Sequence, residues 1–408
     1  MSILPLIATI VTLNVPQQVD VPDLMTAFDG TKVDSLAKWE KLRRPELKRY
    51  FLEHMYGVRP EAAEHPEVSF SVIEPDKMMM EGKALRKHVR ITYAGPCGTN
   101  SFGVTAFIPR QAKPAPAFIL ICNRDPKENI DPERVKKSGF WPAEEIVERG
   151  YAAIAFFNGE LAVDAGDVRP VRPFPFANGA FTAFERPQDR NDQSWAVLSA
   201  WAWGASRVMD WIETEPLLDA KHVAVVGHSR GGKTSLLAGV TDERFAMACV
   251  NDSGCGGAKL ASIDLPDSEH YNVFLYSRND CWFCGEFRKY FMMLDIPYRD
   301  PYIEKRKAHL KVDQHEWAAL MAPRLLAIGS ATEDNWAGQP GEFYTGVLAS
   351  PAWQLYGLKG LPTDQFPAPD SPIKGGEISY HLRTGIHNLT PYDWGVYMDF
   401  ADAHGWRD

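Results

Sequence analysis

No run of apolar residues in this 408-residue chain reaches the ~18–20 needed to cross a bilayer, so no membrane span is expected. Excess basic charge is missing too. Lys and Arg total 44 against 53 Asp and Glu, a net charge of −9, and nucleic-acid binding needs a basic footprint. A nucleic-acid partner is therefore not expected. Gly (31) and Pro (30) are too few for a fibrous or disordered chain. Repeats and low-complexity tracts are also lacking. The apolar stretch 3–15 is interrupted by Pro5 and has no Lys or Arg before it. It reads as an arm lying on the fold or as the remnant of a signal peptide. The six cysteines include one CxxC, Cys281 and Cys284, but no second, and Cys249 and Cys255 have the wrong spacing for a zinc ribbon. Buried thiols or one disulfide are expected, and neither a metal nor a cofactor.

What remains is a soluble, folded composition with enough apolar residues for a large core. We expect an arm over residues 1–33 and one catalytic domain over 34–408. Asp34 or Ser35 can cap a helix that runs past Trp39 and, after Pro45, to Tyr56, where Gly57 stops it. Stretches 67–73, 85–93 and 102–109 are β-patterned, with Val89, Ile91 and Tyr93 alternating with polar neighbours as in antiparallel strands. The pattern then changes. Stretches 117–122, 152–157, 222–226 and 325–328 are short, nearly continuous apolar runs that suit strands buried on both faces. Helical patterns at 142–149, 192–214, 231–239, 315–321 and 340–356 separate them. That alternation predicts an α/β-hydrolase fold, a three-layer sandwich around a mainly parallel sheet. The long stretch 157–192, rich in Pro, Phe, Asn and Gly and including Phe174, reads as a rim over a site or as a packed surface loop.

The stretch 222–234 carries the chemistry and allows two readings. Gly227-His228-Ser229-Arg230-Gly231 is G-x-S-x-G between a strand and a helix, the nucleophile elbow. Such a turn lifts Ser229 Oγ above the sheet, where the Arg230 N–H and the helix dipole favour an oxyanion. Read from Gly227 to Thr234, the same residues are G-x-x-x-x-G-K-T, the phosphate-binding P-loop pattern. A P-loop usually opens its sheet, whereas several strands precede this one, and nothing later supplies recognisable nucleotide chemistry. The nucleophile reading is preferred.

A serine hydroxyl needs a base, and in α/β-hydrolases the chain order is Ser, acid, His. Of the six histidines beyond Ser229, His387 sits in a loop between a β-like run and a helical pattern, where a triad base must hang. His381 belongs to the strand, while His315 and His228 read as packed or capping residues. Two acids compete to orient His387. Asp334 follows the apolar strand at 325–328, and Asp252 follows the strand after the nucleophile.

Six motifs then appear in order: Ser229-Arg230-x-Gly232-Lys233, 251–257 (NDSGCGG), 281–285 (CWFCG), 313–316 (DQHE), 333–337 (EDNWA) and 387–394 (HNLTPYDW). Together they resemble the bacterial glucuronoyl esterases, carbohydrate esterase family 15. The resemblance implies cleavage of esters between (4-O-methyl)glucuronic acid on glucuronoxylan and an alcohol of lignin, outside the cytoplasm, in the secreted or periplasmic space. It makes Ser229 the nucleophile, His387 the base and Arg230 an added oxyanion donor through its side chain. Lys233 would bond sugar hydroxyls and Trp336 would face the uronate ring. From the residues alone, Lys233 reads equally as a solvated helix residue and Trp336 as a core aromatic.

Two departures from the family pattern matter. Many relatives carry Glu where this chain has the shorter Asp252, which makes Asp334 the preferred acid. The sugar-contacting Glu of relatives has two uncertain stand-ins here, Asp267 and Glu269. A broader carbohydrate carboxylesterase of the acetyl-xylan type is the alternative activity. A P-loop nucleotide-binding protein and a carbohydrate-binding protein with a silent triad are the remaining readings.

Overall fold

The computed structural model of the protein describes residues 21–164, 176–263, 265, 267–271, 281–290 and 310–407. Nine strands are described: β1 (Glu67–Met79), β2 (Ala84–Gly95), β3 (Gly98–Pro109), β4 (Ala115–Cys122), β5 (Ala152–Phe157), β6 (Leu218–His228), β7 (Met247–Asn251), β8 (Leu325–Ala331) and β9 (Ile378–Arg383). They form one sheet in the order β1-β2-β3-β5-β4-β6-β7-β8-β9. The pairs β1/β2, β2/β3 and β3/β5 are antiparallel, and every pair from β5/β4 to β8/β9 is parallel. This is the α/β-hydrolase sheet.

The uninterrupted apolar run in β4 is explained by its two covered faces. Ala115, Ala117, Ile119 and Ile121 enter one core, while Phe118, Leu120 and Cys122 enter the other. Burying each large apolar side chain contributes roughly 1.5–3 kcal/mol, so strands of this composition are stable only between two layers. Helices Val197–Ile212, Arg230–Thr241, Gln314–Ala319 and Gln339–Leu355 cover the first face. Ala143–Glu148 and Pro391–Ala403 cover the second.

Elsewhere local sequence decides the ends. Ser35 Oγ accepts from Lys38 N at 3.4 Å and starts the helical stretch, which alternates α and π turns to Tyr56 before Gly57 at φ +83° ends it. Residues just before it lie against this stretch and against helix Gln314–Ala319: Arg43 Nε donates to Leu24 O (3.1 Å), and His315 Nε2 to Pro22 O (3.0 Å). Within 157–192 the chain is more regular than its composition suggests. Helix Gly179–Phe184 packs on the antiparallel strands, with Phe184 stacked on Tyr93 at a 6.0 Å centroid distance. Phe174 lies outside the described residues. All six cysteines are free thiols, five of them buried, and burial raises Cys284 to about 11, so no disulfide joins the CxxC pair. Among the described residues no helix is long and apolar enough to cross a membrane.

Candidate active site

β6 runs straight into helix Arg230–Thr241 with Ser229 alone between them. Ser229 takes φ 58° and ψ −125°, a conformation that costs a residue with a side chain on the order of 1–3 kcal/mol. Two contacts hold it there. Ser229 N donates to Asn251 O of β7 at 2.9 Å, and Ser229 O accepts from Lys233 N at 3.1 Å. The turn is so tight that a Cβ on Gly227 would sit 1.9 Å from Gly231 O. This is strand–bend–helix geometry, and it leaves the Ser229 side chain at the carboxyl edge of the sheet.

His387 approaches from the loop after β9. Its ring lies against His228, the residue preceding Ser229, with centroids 4.3 Å apart. Nδ1 of His387 meets Asp334 Oδ2 at 2.5 Å. A carboxylate there accepts the Nδ1 proton, which leaves Nε2 as the basic nitrogen. Asp334 is buried in the loop after β8, while His387 is exposed. Asp252, the rival acid, lies close by but is engaged differently. Its Oδ2 accepts from Asn388 N at 3.4 Å and stands 3.7 Å from Arg383 Nη2, and Oδ1 is buried without a hydrogen-bond partner. Burial, reinforced by Glu342, Asp334 and Asp393, drives the Asp252 carboxyl well above the usual range, toward its neutral form. Burial also drives His228 well below the usual imidazole range, with the charge of His387 acting in the same direction. His228 is therefore a neutral packing surface for His387.

Arg230 extends from the first helical position. Its Nε pairs with Asp164 Oδ2, and Nη2 donates to Asn123 O at 3.1 Å. Asp164 also accepts from Trp282 Nε1 at 3.1 Å, and Asn123 Nδ2 donates to His228 O at 3.1 Å. The guanidinium is thus fixed beside the elbow. Lys233 is neither solvated nor a surface residue. It is 2% exposed and donates to Ser253 O (2.5 Å), Cys255 O (2.8 Å) and Glu269 Oε2 (2.7 Å). Glu269 N in turn donates to Trp336 O at 2.7 Å, and Trp336 is 47% exposed, an open ring where a core aromatic would be covered. Lys233, Glu269 and Trp336 therefore form one connected wall. Asp267, exposed at φ 62°, makes no described contact with that wall.

Asp252, Asp334 and His387 offer ligand atoms all within 4.8 Å of one another, the one such group among the described residues. Hydrogen bonding between His387 and Asp334, and the neutral tendency of Asp252, account for their proximity through proton chemistry. Several supporting residues carried no sequence signal strong enough to single them out. Glu342 accepts from Ser253 N (2.7 Å), Gly254 N (3.0 Å) and Ser330 Oγ (2.7 Å), and so orders the loop that carries Asp252. Asn123 ends the apolar run of β4, which was a usable clue. Asp393 lies inside the 387–394 motif, at the start of helix Pro391–Ala403.

Comparison with known proteins gives a consistent result. The family model "Glucuronyl esterase, fungi" matches residues 145–357. A carbohydrate esterase from an unknown prokaryotic organism is 31% identical over 94% of this chain and 89% of its own length. The solved glucuronoyl esterase from Solibacter usitatus superposes with a TM-score of 0.82 at 30% identity, covering 96% of this chain and 99% of that one. A promiscuous CE15 esterase from a marine bacterial metagenome gives 0.79 at 31% identity, over 95% and 97%.

Proposed function

This chain belongs to the glucuronoyl esterases, carbohydrate esterase family 15, and is a carboxylic ester hydrolase; on that footing we propose that it cleaves (4-O-methyl)glucuronoyl esters by acyl transfer to Ser229. Lignin–glucuronoxylan ester links are the natural substrate in this reading, and a polymer of that kind implies action in the secreted or periplasmic space. The catalytic domain is taken as residues 34–408 and the arm as 1–33, of which 1–20 lie outside the described residues.

In the first step Ser229 Oγ attacks the ester carbonyl carbon while His387 Nε2 removes its proton. Asp334 stabilises the imidazolium that results. The oxyanion forms at the helix N-terminus beside Arg230, whose fixed charge lowers its energy. Collapse expels the alkoxide, which takes the proton from His387, and water releases the glucuronoyl group by the reverse sequence. Glu269, held by Lys233, reads sugar hydroxyls, and Trp336 faces the uronate ring. Glu269 rather than Asp267 fills this place, because it alone joins the wall.

The observation that carries the reading is the 2.5 Å contact between His387 and Asp334, with the imidazole packed beside the residue preceding Ser229. Hydrolysis of a methyl glucuronate, compared with that of an acetylated sugar, tests it. The wild-type protein should strongly prefer the glucuronate, and Ser229→Ala should lose about 10⁵–10⁶-fold in kcat while staying folded. Preference for the acetylated sugar would hand the case to a broader carbohydrate carboxylesterase. Similarity to a promiscuous CE15 esterase keeps that second reading in view.

A further inference from the structure

Of the two large apolar side chains in the loop that carries His387, only Leu389, at its far end, is buried. Ile386 is 64% exposed, and Thr384 and His387 also face outward. Its inside is filled by one side chain, that of Arg383, which is 6% exposed. The guanidinium donates through Nη1 to Thr384 O (3.1 Å) and through Nη2 to both Ile386 O (2.9 Å) and Asn388 O (2.8 Å). Those last two carbonyls flank His387 on either side. The backbone is wound closely round the group: Gly385 has φ +125°, and a Cβ there would lie 2.9 Å from Arg383 Nη1.

The other edge of the guanidinium is anchored. Arg383 Nε donates to Asp393 Oδ2 at 3.0 Å. Asp393 is fully buried and also accepts from His381 Nε2 (2.8 Å), Asn251 Nδ2 (3.2 Å) and Thr390 N (2.8 Å). The first half of the loop has other ties, through Thr384 N to Asp370 Oδ1 (2.9 Å) and Gly385 N to Thr332 Oγ1 (3.0 Å). The half bearing His387 is held by the guanidinium, by the longer contact of Asn388 N with Asp252, and by Leu389, which is buried in the core two residues on.

We propose that Arg383 is a positioning residue for the reaction: its guanidinium, braced on Asp393, fixes the peptide units either side of His387 and so sets the imidazole against Asp334 and Ser229. The inference rests on the Ser229–His387–Asp334 reading given above. A planar fork with five donors can serve three carbonyls and a carboxylate together, which an ammonium cannot. Arg383→Met combined with Asp393→Asn removes both charges and leaves no unpaired carboxylate at position 393.

In that variant kcat for a methyl glucuronate should fall about 10²-fold, the effect of a base displaced by about an ångström. KM should stay within about threefold, because the sugar wall is untouched. Labelling of Ser229 by a fluorophosphonate, which also needs the base, should slow in step with kcat. A purely structural role would lower the melting temperature but leave kcat per folded molecule, and the labelling rate, at wild-type values; that result overturns the proposal. Should the double variant fail to fold, Arg383→Lys keeps a charge opposite Asp393, and wild-type kcat there overturns it equally. His387→Ala is the control. Full turnover in His387→Ala would sink the triad itself, whereas an inactive His387→Ala beside a fully active Arg383 variant would sink the clamp alone.

Discussion

At the scale of single residues, the two acids beside His387 are engaged differently. Asp334 holds Nδ1 directly, while Asp252 is driven toward the protonated form by burial and by its carboxylate neighbours. Only an ionised partner can stabilise an imidazolium. Asp334→Asn should therefore lower kcat by about 10⁴-fold, as loss of the correct tautomer does in serine hydrolases generally. Asp252→Asn, a neutral group replacing a neutral group, should change kcat by less than about tenfold. Steady-state kinetics on the two variants decides between them, and the reverse ranking would transfer the acid's role to Asp252. The chain order of Ser229, Asp334 and His387 was legible in the sequence because each follows a recognisable strand. The sequence favours Asp334 through the shorter reach of Asp252, but the burial of Asp252 and the charges of Glu342 and Asp393 around it were not legible, because those residues are distant in sequence. Lys233 shows the same limit. Its burial and its bonds to Ser253 and Cys255 come from a loop that folds back over the helix.

Among the elements, the elbow between β6 and its helix is the least tolerant of change. Gly227→Ala would place a methyl group 1.9 Å from Gly231 O, and both atoms belong to a backbone pinned by β7. Overpacking of this kind typically costs about 1–3 kcal/mol. Chemical denaturation should therefore show a clear fall in midpoint, with turnover reduced as well because Ser229 is displaced. A neutral Gly227→Ala would mean that the bend is slacker than its φ and ψ imply. The elements themselves were largely readable. The apolar runs of β4, β5 and β8 and the helix Gln339–Leu355 are visible from pattern alone. Ends were the weak point. β1 continues to Met79 through two irregularities in its pairing with β2, and β6 begins at Leu218, opposite Ala115, in residues with no apolar pattern. Pairing partners extended these strands, and no local propensity announces a partner.

For the whole molecule, buried carboxylates make stability depend on pH in two opposite ways. Burial alone would raise Asp393, but its hydrogen bond to His381 and the charges of His381 and Arg383 prevail and lower it below 3.8. Its contribution is present above that value and disappears as pH falls through the lowered folded pKa. Asp252 has the opposite sign. Its folded pKa is raised, so the native state favours the bound proton, and stability is lost as pH climbs from 3.8 through the raised value. The melting temperature of Asp252→Asn, relative to wild type, should therefore increase as pH is raised from about 4 through the neutral range. A difference that stays flat across that range would show Asp252 titrating as a solvated carboxylate.

The crowd of acids under the site also bears on how a catalytic cycle ends. An ester arrives uncharged, and cutting it creates a uronate anion within reach of Asp334. Arg230, the nearby cation, already has Asp164 as its counter-ion. The newborn acid thus acquires a charge that the ester did not carry, beside an Asp334 whose own charge opposes it. Substrate and product therefore differ by one full charge at the place where this fold gathers its buried acids.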